Sequence, residues 1–304
     1  MEKAVTIGTF DGVHRGHRLV LDTLRDEAAR RNLQPAAISF SCHPLELIAP
    51  ERAPGNLLTT ERKRLLIAEE GVSPIILPFN EQLRRMTAYE WMLHLYRTYG
   101  ARLIVAGYDN TFGCDGIDMT IADYRAMGDT IGIEVISAPE VEGVSSSRIR
   151  KAVKAGDISL ATDLLGHFHE TEGRVGPGFH LGSKIGFPTA NLQMTPQAVL
   201  PAPGVYAAFA ETEGDPARYP AMVNIGFRPT FDGTDSASAY KTVEAHLIGA
   251  DRDFYGATMR LKYVARLRDE IRFPSVDQLI AQLGKDREDT LRLTRAADND
   301  VKDK

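Results

Sequence analysis

A chain of 304 residues, 43% apolar and 25% charged, holds the material for one large or two ordinary globular domains. Its net charge of −5 argues against a nucleic-acid binder with a basic face, and two cysteines, Cys42 and Cys114, exclude a disulfide scaffold or a cysteine metal cage. With no signal-like start and no apolar run near the roughly 20 residues of a membrane helix, a cytoplasmic protein without membrane or nucleic-acid partner is expected.

In chain order, residues 4–7, 36–40, 74–77, 103–106 and 133–137 read as short apolar strands. Helical patterns lie between them at 18–31, 61–70, 88–99 and 121–131, the third opened by a capping box of Thr87 and Glu90. This alternation predicts a doubly wound α/β fold with a parallel sheet, whose ligands bind at the carboxyl ends of the strands. Two further helices are expected at 147–155 and 159–165. The rhythm then changes. Residues 173–186 hold five glycines and read as a loop, while 204–210, 221–225, 242–248 and 258–264 are strand-like with only turns between them. That spacing predicts a small antiparallel sheet or barrel. Ser275 and Gln278 open a closing helix, and the polar tail from 296 is expected to fray. The domain division is placed at 168/169, giving 1–168 and 169–304.

Residues 7–17 read Ile-Gly-Thr-Phe-Asp-Gly-Val-His-Arg-Gly-His, at a strand-to-helix turn. His14 and His17, three apart, share a helix face, and the helix start presents N–H groups suited to an anion. Gly8, Gly12 and Gly16 let the backbone bend and approach it closely. A phosphate suits these features best. Two structural histidines are the plain alternative, and zinc lacks a third ligand at motif spacing. Further on, Ser145-Ser146-Ser147-Arg148-Ile149-Arg150 puts hydroxyls at a helix start with guanidiniums just inside, which suits outer phosphates or, equally, an ordinary serine cap.

Together these two stretches resemble the H-x-G-H and Ile-Ser-Ser-Thr-x-Ile-Arg signatures of the nucleotidyltransferase superfamily, with Ser147 in the threonine position. The resemblance implies that His14 and His17 stabilise the α-phosphate of a nucleoside triphosphate. It likewise implies phosphate contacts from Gly8, Thr9, Phe10, Gly16, Ser145, Ser146 and Arg150. Residues 107–113, Gly-Tyr-Asp-Asn-Thr-Phe-Gly, resemble the Gly-x-Asp-Phe-x-Phe-Gly segment of bacterial FAD synthetases, with Asn110 for the first phenylalanine and Thr111 where arginine is frequent. Flavin contacts at Asp109 and Asn110 follow from that likeness. Residues 40–44 resemble another loop of that family, although His43 could equally be a turn residue.

In the second half, Gly182-Ser183-Lys184 inverts the order of a P-loop, and Gly176-x-Gly178 lacks the third glycine of a dinucleotide fingerprint. Pro188-Thr189-Ala190-Asn191 supplies hydroxyl and amide oxygens that suit magnesium, or forms a plain turn. Glu244 alternates with Val243 and Ala245, so it faces a pocket or solvent. The runs Gly186-Phe187-Pro188-Thr189-Ala190-Asn191, Asn224-Ile225-Gly226-x-Arg228-Pro229-Thr230-Phe231, Val243-Glu244-x-His246-Leu247, Tyr255-Gly256 and Leu267-Arg268-x-Glu270-x-Arg272-Phe273 closely resemble riboflavin kinase. The resemblance implies Glu244 as the base, Thr189 and Asn191 as holders of Mg–ATP, Gly178 and Gly182 near its phosphates, and Arg228 near flavin. Ser183 stands where arginine is common, with Lys184 beside it.

The order of these two halves resembles the bacterial bifunctional riboflavin kinase/FMN adenylyltransferase (FAD synthetase) family. It implies a nucleotidyltransferase domain, a six-stranded Greek-key barrel and a C-terminal helix. It also implies ATP as co-substrate, Mg2+ as cofactor, riboflavin, FMN and FAD as ligands, and a monomer or weak homo-oligomer. Rival readings are a different acceptor such as phosphopantetheine or nicotinamide mononucleotide, one active domain only, and flavin binding without turnover.

Overall fold

The computed structural model describes residues 1–108, 111–178, 182, 185–229 and 239–302. Its chain divides into two compact units, Met1–Ser147 and Arg148–Lys304. The sequence rhythm places the division at 168/169 instead, after two helices that the fold groups largely with the second unit.

The first unit alternates β1 (Lys3–Ile7), α1 (Arg15–Arg30), β2 (Gln34–Phe40), α2 (Pro44–Ile48), α3 (Thr60–Glu69) and β3 (Ser73–Leu77). It continues with α4 (Glu81–Arg85), α5 (Ala88–His94), β4 (Ala101–Ala106), α6 (Ile121–Ile131) and β5 (Glu134–Ser137). The strands form one parallel sheet in the order β3-β2-β1-β4-β5. Both faces are covered, so the buried positions of its strands are mainly apolar on both sides. Val5, Ile7, Ile38 and Ile104 face Trp91 and Met92 of α5 and Tyr124 of α6, while Ala4, Ala37, Leu103 and Val105 face Leu21 and Leu24 of α1 and Leu66 and Ile67 of α3. Each such large side chain contributes about 2 kcal/mol by leaving water. The short helices α2 and α4 were not expected, because five residues display no helical period; caps define them. His43 Nδ1 accepts from Leu45 N at 3.1 Å and Asn80 Oδ1 from Leu83 N at 3.0 Å.

Next come α7 (Ser146–Ala155), which crosses the division, and α8 (Ile158–Leu165), whose Ile158 joins the core of the barrel. The barrel strands are β6 (Glu170–Gly176), β7 (Ala190–Met194), β8 (Gly204–Thr212), β9 (Arg218–Pro229), β10 (Ala239–Leu247) and β11 (Thr258–Arg268), followed by α9 (Val276–Lys302). They close in the circular order β10-β7-β6-β11-β8-β9. Strands β8, β9 and β10 follow one another antiparallel and β11 returns beside β8, the Greek-key order.

Two expectations are corrected. The glycine-rich stretch from 173 is not all loop, since Gly173 and Gly176 lie within β6. Their hydrogens admit close strand approach: a Cβ would stand 2.8 Å from Gln193 O at Gly173 and 2.6 Å from Gln193 Nε2 at Gly176. The polar tail after 296 stays helical through Lys302. Arg218 reaches Asp298 at 2.8 Å, and further back Thr290 and Thr294 are buried against the barrel. No helix among the described residues is long and apolar enough to cross a membrane.

Inside the barrel, His169 is 1% exposed and its Nε2–H donates to Val199 O at 3.1 Å. Burial pushes its pKa from 6.5 down to about 4, so the folded state holds it neutral. The unfolded chain binds the proton at higher pH than the folded one. Stability is therefore full above about pH 6.5 and falls by up to about 3 kcal/mol as pH drops towards 4. His169→Phe should flatten that acid slope, measured by urea unfolding followed by circular dichroism; an unchanged slope refutes it.

Candidate active sites

The chain leaves β1 at Ile7 and turns through residues 8–14 into α1. This turn lies on the carboxyl edge of the sheet, where the strand order reverses between β1 and β4. Its backbone is strained. Phe10, Gly12 and Val13 have φ of 47°, 90° and 38°, and each residue with a Cβ costs about 1–3 kcal/mol there. Several anchors offset this. Phe10 and Val13 are buried, and the buried Asp11 carboxylate accepts from Leu57 N at 3.0 Å and Leu58 N at 3.3 Å. Ser39 Oγ and Lys63 Nζ donate to Thr9 O at 3.0 and 3.1 Å, Gly8 N donates to Ile38 O at 3.0 Å, and Ser146 Oγ donates to Asp11 O at 2.9 Å.

The held loop delivers the histidines. His14 caps α1: its Nδ1 accepts from His17 N at 3.3 Å, which puts the proton of the neutral ring on Nε2. The rings of His14 and His17 stack with centroids 3.6 Å apart and 14° between planes. Gly16 makes room, since a Cβ there would meet His14 Cε1 at 3.2 Å. Two imidazoles and a helix start thus stand together, an arrangement chemically suited to an anion. Gly8, Thr9, Phe10, His14, Gly16, His17 and Ser146 all belong to this one neighbourhood. Ser145 immediately precedes α7, and Arg150 lies one turn beyond Ser146 and is 6% exposed. Ser146 uses its hydroxyl to fix the loop. Asp109 and Asn110 lie outside the described residues; beyond them, Tyr124 Oη donates to Phe112 O and accepts from Phe112 N, both at 2.9 Å.

Lys63, absent from the expected set, is 8% exposed beneath the same loop, with Nζ also donating to Phe40 O at 2.7 Å. Burial lowers its pKa to about 8, against the opposing pull of Asp11, Cys42 and Glu46. Its signal in the sequence is position: it shares the buried face of α3 with Leu66 and Ile67, three and four residues on.

Among the described residues of the barrel lie two cavities of about 280 Å³ each that share Thr189 as a border. Across β7, β10 and β9, Asn191, Glu244 and Asn224 stand in register. Val243 and Ala245 are in the barrel core, so Glu244 lies on the outward face. There one cavity is lined by Gly182, Thr189, Asn224, Glu244, His246, Glu270 and, on α9, Leu279 and Leu283. Gly178, Thr189, Asn191, Asp253 and Tyr255 line the other. Gly178 and Asn191 meet closely: a Cβ at 178 would stand 2.0 Å from Asn191 Nδ2. Gly182 thus falls with Glu244, apart from Gly178 and Asn191. Arg228 pairs with Tyr240 in the β9–β10 ladder, while Ser183, Lys184, Thr230 and Phe231 lie outside the described residues.

Sequence reasoning also missed what supports this wall. His246 Nδ1–H donates to Pro188 O at 2.8 Å, and burial lowers the pKa of its ring. Arg268, lining the Glu244 cavity, grips the buried Asp286 of α9 through Nε at 3.0 Å and Nη2 at 2.7 Å. That pair joins residues eighteen apart on different elements, which no local pattern marks.

Asp11→Asn removes charge from the carboxylate that holds Leu57 and Leu58. It should cost the first unit about 1–3 kcal/mol, read from the fluorescence of Trp91, the sole tryptophan, during denaturation; an unmoved midpoint refutes the clamp.

Residues 1–151 match the family described as FAD synthetase, and residues 165–294 the family described as riboflavin kinase. The bifunctional riboflavin kinase/FMN adenylyltransferase of Escherichia coli (strain K12) is 35% identical over 288 residues, covering 93% of this chain and 90% of that protein. The protein of the same description from Bacillus subtilis (strain 168) is 30% identical over 296 residues, covering 96% and 92%. A crystal structure described as a macrolide-efflux protein from Streptococcus pneumoniae superposes with a TM-score of 0.85 at 32% identity, covering 95% of this chain and 93% of that one.

Proposed function

Because this chain belongs to the family of bifunctional riboflavin kinase/FMN adenylyltransferases, an ATP-using family of flavin cofactor biosynthesis, we propose that its two reactions run at two separate groups of residues. Adenylylation of FMN to FAD belongs to residues 8–17 with 145–150, and phosphorylation of riboflavin to FMN belongs to the Glu244 wall of the barrel. One observation carries this most strongly: Thr189 stands between a cavity holding Glu244 and a cavity holding Asn191 and Gly178. Acceptor and phosphate donor can so meet across a single residue. The description of the Streptococcus pneumoniae structure names efflux, but the relatives of similar identity and coverage name the two transferase activities.

In the kinase step, the riboflavin 5′-hydroxyl attacks the γ-phosphorus of ATP, the bond to ADP breaks, and Glu244 takes the hydroxyl proton. Arg228 belongs on the flavin side. Thr189 and Asn191 would hold magnesium, with Gly178 and Gly182 close to the phosphates; hydroxyl and amide oxygens beside the Asp253 carboxylate are a donor set that fits a hard cation. Bound there, the ion neutralises phosphate charge. In the second step, a phosphate oxygen of FMN attacks the α-phosphorus of another ATP and pyrophosphate leaves. His14 and His17 stabilise the charge on the α-phosphate. The helix start, the backbone of Gly8, Thr9, Phe10 and Gly16, and the side chains of Ser145 and Arg150 orient the triphosphate, with Ser146 contributing through its backbone and the loop it fixes. Asp109 and Asn110 contact the flavin. We place the functional division at 168/169 and the enzyme in the cytoplasm, as a monomer or weak homo-oligomer.

His17→Ala should lower FAD formation from supplied FMN about 100-fold or more while riboflavin is still converted to FMN, as resolved by chromatography. Retained FAD synthesis at the parent rate would remove His17 from the adenylyl site. Glu244→Gln should lower FMN formation by about 100-fold to 10,000-fold and spare conversion of supplied FMN, because the amide accepts no proton. FMN made at the parent rate would show that Glu244 is not the base.

A further inference from the structure

Lys63 lies beneath the histidine loop and outside its signature. Its ammonium, on the buried face of α3, closes the carbonyls of Phe40 at 2.7 Å and Thr9 at 3.1 Å. Ser39 Oγ reaches the same Thr9 oxygen at 3.0 Å. These donors grip the loop at the residue immediately before its first left-handed position, Phe10. A neutral hydroxyl already meets the need for a donor at Thr9, yet the fold also buries a full positive charge there, and an ammonium loses its hydration on burial. In a planar trans peptide the N–H points opposite to the C=O. A cation on Thr9 O therefore fixes the Phe10 N–H on the far side from α3 and polarises that peptide. The same loop runs on to His14 and His17 within eight residues.

We propose that Lys63 is a positioning residue for adenylyl transfer, holding the Thr9–Phe10 peptide and through it the stacked His14 and His17 in the geometry of the transition state. This rests on the adenylylation reading of residues 8–17. The charged and titratable groups facing the ammonium are Asp11 of the loop, Cys42 after β2 and Glu46 of α2, all favouring its charge, while burial opposes it and brings the pKa to about 8. The charge is therefore lost as pH rises through that value.

The test is steady-state FAD formation by the full chain from supplied FMN, ATP and magnesium, across neutral to alkaline pH. The parent is compared with Lys63→Met, Lys63→Arg and Ser39→Ala, each checked for folding of the first unit by Trp91 fluorescence. Lys63→Met should lower kcat about ten-fold or more with KM for ATP held within about three-fold, the signature of a contact felt mainly in the transition state. Parent kcat should decline above about pH 8, and Lys63→Arg, which stays charged, should lack that decline. Ser39→Ala should lower kcat in the same direction but less. A folded Lys63→Met with parent kcat, or an alkaline decline unaltered in Lys63→Arg, overturns the proposal. Should Lys63→Met not fold, the Arg and Ser39 variants decide by the same criteria. A parent that forms no FAD from FMN overturns the adenylylation reading and this proposal with it, whereas a parent that does so beside unaffected variants overturns this proposal alone.

Discussion

The first unit depends on a backbone that does not hold its own shape. Phe10, Gly12 and Val13 turn left-handed within four residues, and Val13 does so with a β-branched side chain. Locally only Gly12, which takes a positive φ freely, and the Val13 N–H donating to Phe10 O at 3.1 Å favour that conformation. Two buried apolar side chains, one buried carboxylate on two amides, and two donors converging on Thr9 O hold it in place. The stacked histidines are the outcome. Without the left-handed turn, His14 would not cap α1, and the two rings would not lie 3.6 Å apart.

The barrel solves a different problem by a simpler device. A strand turns alternate side chains to opposite faces, so Val243 and Ala245 fill the core while Glu244 is carried to the outer wall. An outer-wall carboxylate would ordinarily be solvated. Here α9 contributes Leu279 and Leu283 to the cavity in which Glu244 sits, and the Arg268–Asp286 pair fastens that helix. Because Asp286 is buried, removing its partner would strand a charge, so the fastening is strong in the sense that it is expensive to break. The helix is thereby part of the cavity wall as well as of the fold.

Much of this was legible from local spacing. Two histidines three apart after an apolar run, with glycines around them, mark a strand-to-helix turn that brings both rings together, and alternation around Glu244 marks a carboxylate turned from the core. The α/β alternation and the change of rhythm in the second half likewise foretold a parallel sheet and a barrel. What local pattern hid falls into two kinds. β6 carries Gly173 and Gly176, which resemble loop residues until the neighbouring strand shows why a Cβ would not fit. Lys63, Ser39, Arg268 and Asp286 do their part through partners on other elements, and a cation or hydroxyl in an amphipathic stretch does not announce which carbonyl or carboxylate it will meet.

By itself, then, the sequence determined which side chains share a face and which segments bury, because those follow from the fixed periods of helix and strand and from residue type, while its motifs carried the resemblance to the family. Only the tertiary structure decided that Thr189 stands between two cavities, that Gly182 keeps company with Glu244 while Gly178 lies against Asn191, and that a buried lysine from α3 sits behind the histidine loop. Those are meetings of segments from thirteen to more than fifty residues apart. Their distances are set by strand register, barrel closure and helix packing, which no stretch of sequence contains.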